Sequence, residues 1–200
     1  MSKQARIPST EQLNDLLSKV KDTKPFGLRD WAILHLSYYA GLRAKEIASL
    51  RIQDMYEDGE LLSETYLNAD QTKNTTDKKD GRKVYLSHPK LRAALNEYVS
   101  AESTKCKSEV VKRSLFISSK NLTISADSMV HIIKRAYRKV GYPNLSSHSG
   151  RRYFATKLGR EVNHAKELQE YGGWKSIQMA YHYVENNEEE MKDRLNKATW

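Results

Sequence analysis

The chain has a single cysteine, Cys106, four prolines and no apolar run near the ~18 residues that a membrane-spanning helix needs. One cysteine excludes an internal disulfide and a cysteine cage around a metal. The six histidines show neither His-x-x-x-His nor His-Glu-x-x-His spacing, so no zinc site of that type is expected and no cofactor is called for. The N-terminus also lacks the apolar core of a secretory signal, which makes a reducing, cytoplasmic setting the expectation. Acidic residues are in the minority, 25 against 34 Lys and Arg, leaving a formal charge of +9. That excess favours a polyanionic partner, because neutralised phosphates release condensed counterions. Charge alone names no partner. With 38% hydrophobic residues, the chain has enough apolar material for one sizeable core, and one compact domain over 1–200 is expected.

Periodicity predicts a mainly helical fold with one small antiparallel sheet, an α+β arrangement. Ser9 and Gln12 fit a capping box, so a helix from about Glu11 to Lys21 should bury Leu13, Leu16, Leu17 and Val20. A more buried helix over Leu28–Tyr39 is broken by Gly41, and a third starts near Arg43. Glu60–Leu67 and Arg82–Leu86 look like strands flanking a polar, lysine-rich hairpin. Pro89 opens a helix carrying Leu91, Leu95 and Val99. Ser100–Arg113 looks like a charged connector, and Leu115–Ile117 like a brief extended piece. Ser125–Val140 should be helical, with Met129, Ile132, Ile133 and Ala136 inward. Short helices are expected around Ser149–Arg160, Asn163–Tyr171 and Ser176–Tyr183. A last one, about Asn187–Lys197, begins with three glutamates at the positive end of its dipole.

Four segments carry possible chemistry. They are Ala40-Gly-Leu-Arg-Ala-Lys-Glu46, Gln71-Thr-Lys-Asn74, His148-Ser-Gly-Arg-Arg-Tyr-Phe-Ala-Thr156, and Gly172-Gly-Trp-Lys-Ser176 followed by Tyr181-His-Tyr183. In order and spacing they resemble the catalytic domain of tyrosine recombinases, the family of phage integrases and Xer- and Cre-type enzymes. The likeness runs from about Ser9 to Tyr183. It implies a site-specific recombinase that cuts and rejoins double-stranded DNA through a phosphotyrosine. Two other readings stay open: type IB topoisomerase chemistry, and a DNA-binding regulator of the same fold without turnover.

The resemblance assigns roles. Arg43 and Arg151 would clamp the scissile phosphate, a task for which a permanently charged, planar guanidinium is well made. Arg152 is the rival of Arg151, and His148-x-x-Arg151 favours the latter by placing two side chains on one helical face. Glu46 would orient Arg43, or else form a surface ion pair with it. Lys73 would protonate the leaving 5′ oxygen, and His148 would serve the tyrosine as donor or base. Trp174 stands where many relatives carry a second histidine; its indole N–H can donate but cannot exchange protons usefully. Tyr183, nine positions after Trp174, would be the nucleophile, with Tyr181 as rival. Lys78, Lys79, Arg82, Lys83 and Arg152 are candidate DNA contacts.

Relatives often dock a C-terminal helix into a neighbouring subunit, which implies a homo-oligomer on DNA, up to a ring of four exchanging the helix of 187–197, or else a helix packed back on its own domain; accessory DNA-binding proteins are further partners the resemblance implies. Few residues precede the first helix, too few for the N-terminal core-binding domain of most integrases. The expectation is a minimal recombinase or a catalytic fragment.

Overall fold

Ser9 opens the first helix, α1 (Thr10–Lys21), with both bonds of a capping box. Its hydroxyl accepts the Gln12 N–H at 3.2 Å, and Gln12 Oε1 accepts the Ser9 N–H at 2.9 Å. This computed structural model describes residues 5–72, 81–103, 114–120, 122–162, 165–174 and 176–181. The chain forms two compact units, Met1–Phe154 and Ala155–Trp200.

In the first unit α1 buries Leu13, Leu16, Leu17 and Val20 against α2 (Gly27–Tyr39). Apolar nearly all round, α2 is buried along most of its length and packs on α1, α4 (Pro89–Ser103) and α5 (Ala126–Lys139). It ends where Gly41 takes φ +63°, and a β-carbon there would lie 2.3 Å from the Phe154 ring. Three residues later α3 (Ala44–Ser49) begins, packed on α5. Helix α4 runs on through Ser103, longer than its apolar pattern predicts. In α5, Met129, Ile133, Ala136 and Tyr137 are buried, while Ile132 is only half-buried. Leu115 and Phe116 lie between two isolated antiparallel bridges, Arg51 with Ser114 and Ile117 with Thr123.

Strand structure departs from the single sheet expected. β1 (Tyr56–Glu57) pairs with β2 (Glu60–Leu61), and β3 (Glu64–Leu67) pairs separately with β4 (Arg82–Tyr85), both antiparallel. The run Glu60–Leu67 divides because Asp58 and Gly59 both adopt positive φ, the requirement of a two-residue hairpin turn, and fold Glu60–Leu61 back onto Tyr56–Glu57. In the second pair Leu67 lies opposite Arg82, Thr65 opposite Val84, and Tyr66 opposite Lys83. Thr65, Leu67 and Val84 face the core; Glu64, Tyr66, Lys83 and Tyr85 face outward.

Helix α6 (Ser149–Glu161) is followed in the second unit by α7 (Ala165–Gly172) and α8 (Ile177–Tyr181). That unit has its own small core of Ala155, Leu168 and Trp174, with Leu158 and Val162 against it. No described helix is long and apolar enough to cross a membrane. The helix expected at 187–197 lies outside the described residues.

Candidate active site

The left-handed turn at Gly41 delivers Arg43 to the start of α3 with its side chain 25% exposed. Glu46, one turn on, is only 1% exposed, so its pair with Arg43 is not a surface ion pair. Its Oε2 accepts the Arg43 main-chain N–H at 2.7 Å, and its Oε1 accepts an Arg43 guanidinium N–H at 2.8 Å. One carboxylate therefore caps α3 and fixes the arginine that begins it. A second guanidinium reaches the same group from β4: Arg82 donates through Nε to Oε1 at 3.3 Å and through NH2 to Oε2 at 3.0 Å. Burial opposes ionisation of Glu46. Arg82, then Arg43 and Arg151, overcome it and bring the carboxyl down to about 2.

Arg151 enters from α6. It is 3% exposed, and its NH1 donates to the Gly41 carbonyl at 2.5 Å. The turn leading to Arg43 is thus held at one end by Arg151 and at the other by Glu46. Gly150 makes this approach possible, since a β-carbon there would lie 2.3 Å from the Ser37 hydroxyl on α2. Arg152 turns elsewhere and donates to the Ala5 carbonyl at 2.6 Å. His148 lies just ahead of α6, exposed, its carbonyl accepting the Arg152 N–H at 2.9 Å. His148 is thus exposed where Arg151 is buried.

Lys73, Lys78 and Lys79 lie outside the described residues. The chain leading to Lys73 is anchored to α3: Lys45 Nζ donates to the Thr72 carbonyl at 2.7 Å, and Gln71 Nε2 to the Ser49 carbonyl at 3.2 Å. Lys83 is exposed, paired with Glu64 at 2.8 Å. In the second unit Trp174 is buried just after α7, where its main-chain N–H donates to the Gln169 carbonyl at 3.0 Å. Gly172 permits this, for any β-carbon would overlap the indole ring. Tyr181 closes α8, and Tyr183 lies outside the described residues.

Sequence reasoning missed Arg82 as a partner of Glu46 and placed it among surface cations. The signal was there: Arg82 alternates with Val84 and Leu86, both buried, so all three share a strand face. Lys45 and Gln71, which tether the segment before Lys73, left no such signal because their acceptors are main-chain carbonyls.

Three guanidiniums around one buried carboxylate leave a surplus of positive charge, the mark of a site for an anion. The architecture that carries it is the catalytic-domain fold of tyrosine recombinases. The crystal structure of XerA recombinase has a TM-score of 0.74 at 19% identity, over 100% of this chain and 66% of that one. The Tn1549 transposon integrase in complex with circular intermediate DNA gives 0.69 at 18% identity, over 97% and 68%. Tyrosine recombinase XerD of Lacticaseibacillus casei is 24% identical over 186 residues, 91% of this chain and 60% of that protein. The model of the phage integrase family matches residues 8–190, and the chain belongs to that family.

Proposed function

We propose that this chain is the catalytic part of a site-specific DNA recombinase that breaks and rejoins strands through a covalent phosphotyrosine. The observation that carries the reading is the surplus of guanidinium charge held around Glu46. Arg43 and Arg151 flank the same Gly41 turn, one through the main chain and one through a hydrogen bond. A phosphodiester under attack builds negative charge on its non-bridging oxygens, and prearranged guanidiniums stabilise it without reorganising.

Tyr183 Oη attacks the scissile phosphorus, the bond from phosphorus to the 5′ oxygen breaks, and a 3′-phosphotyrosine forms. Lys73 supplies the proton to the departing 5′ oxygen, and His148 takes the tyrosine's proton. Trp174 adds an indole donor, and Lys83, Lys78 and Lys79 steer the duplex. The ester conserves the energy of the broken bond, so a 5′ hydroxyl from a second site can reverse the step and exchange strands. Subunits acting together on two DNA sites follow from that exchange. The L. casei relative's name, tyrosine recombinase, and the DNA present in the Tn1549 integrase structure support the same reading.

The test is trapping on nicked duplexes drawn from DNA flanking the gene, resolved on a denaturing gel. An adduct in the wild type that disappears in Tyr183→Phe and survives in Tyr181→Phe is the expected result. Loss in Tyr181→Phe alone would move the nucleophile. Binding without any adduct would instead favour a DNA-binding regulator of the same fold.

A further inference from the structure

Arg82 was expected to be one of several cations on a DNA-facing hairpin, but its position differs from that of its neighbour Lys83. Gly81 lets β4 begin tight against β3: a β-carbon there would lie 2.4 Å from the Tyr66 ring and 2.6 Å from the Leu67 carbonyl. Opposite Leu67, on the core-facing side of the pair, the Arg82 side chain is 9% exposed. Two of its three nitrogens bind the two oxygens of Glu46. The third, NH1, is buried with no acceptor among the described residues. Burial of all three nitrogens sets this side chain apart from the exposed Lys83.

We propose that Arg82 is a positioning residue: its guanidinium, forked across Glu46, fixes the carboxylate that in turn holds Arg43 ready for the phosphate. Without it Glu46 would keep only the Arg43 contacts at its two oxygens, in a site almost closed to water. The carboxylate could then rotate or take up a proton, and Arg43 would lose its fixed orientation. The charged groups acting on Glu46 are Arg43 from the start of α3, Arg82 from β4 and Arg151 from α6. What Arg43 is held ready for rests on the strand-cleavage reading; the control of Glu46 does not.

The experiment compares Arg82→Met and Arg82→Lys with wild type in the whole chain, by two readouts. The first is an NMR titration of the carboxyl carbons without DNA, with Glu46 assigned by its loss in Glu46→Gln. In Arg82→Met the Glu46 midpoint should rise by at least about one pH unit, and Arg82→Lys should restore part of that change. An unmoved midpoint would overturn the proposal. The second compares single-turnover adduct formation at saturating DNA with DNA affinity. Cleavage should fall at least about tenfold while affinity changes less than about threefold. Equal losses in both would make Arg82 a DNA contact and overturn the positioning role. Should Arg82→Met fail to fold, Arg82→Lys decides alone: its charge is kept, its fork is lost, and its cleavage must still fall. If the wild type forms no adduct, the strand-cleavage reading fails, whereas the carboxyl titration still decides whether Arg82 controls Glu46.

Discussion

Two carboxylates are buried against arginines in the first unit, and their surroundings push them in opposite directions. Asp30, on α2, binds one guanidinium through one oxygen: Arg29 Nε and NH2 both reach Oδ1, at 3.0 and 2.8 Å. Among the described residues its other oxygen has Arg135 at 3.8 Å, whose side chain is 44% exposed. Burial wins there, and the Asp30 carboxyl is raised above its ordinary value despite Arg29, Arg135 and Lys139. Glu46 is buried more deeply, yet both oxygens are filled by two guanidiniums and a main-chain N–H, and it titrates well below its ordinary value. The number and direction of donors, rather than depth, set the direction of the shift. Arg29 is further occupied by the Ile117 carbonyl and the Phe26 ring, so the Asp30 group ties α2 to its neighbours. The Glu46 group has charge in excess.

Neutralising each carboxylate tests that comparison. Glu46→Gln leaves buried guanidiniums without their counter-charge and should destabilise the fold by about 3 kcal/mol, whereas Asp30→Asn should cost less, because burial already opposes that charge. Urea unfolding of the two variants at neutral pH measures both, and equal losses would break the distinction.

Acid dependence sharpens it. Glu46 falls from its ordinary 4.5 to about 2 in the folded protein, so its stabilisation is complete above about pH 4.5 and is lost as pH drops toward 2. By linkage that amounts to roughly 3 kcal/mol. Asp30 has the opposite sign: its folded pKa lies above 3.8, and ionisation weakens the fold as pH rises through that raised value. Urea midpoints followed across the acid range should therefore flatten in Glu46→Gln and steepen in Asp30→Asn. The smallest effect belongs to Lys83→Ala. Its pair with Glu64 is exposed, and the unfolding midpoint should stay where it was.

The helices were the most legible part of the sequence because their signals are local. Ser9 and Gln12 gave the cap of α1, the break at Gly41 gave the end of α2, and Ser125 gave the start of α5. The sheet was less so. Asp58-Gly59 is a hairpin turn whose flanking strands are two residues each, too short for alternation to register. In the site, Arg43, Glu46 and Arg151 were singled out by motif, but their geometry depends on contacts distant in sequence. The bond from Arg151 to the Gly41 carbonyl and the fork of Arg82 on Glu46 join α6 and β4 to a turn that no local pattern connects with them.

In the proposed reaction the guanidiniums around Glu46 neutralise a DNA phosphate during cleavage. Single-turnover adduct formation by Arg43→Lys at saturating DNA tests it most directly. Lysine keeps the charge but loses the planar fork, so the rate should fall about a hundredfold while DNA affinity changes less than about threefold. Cleavage by Arg43→Lys at the wild-type rate would contradict the account.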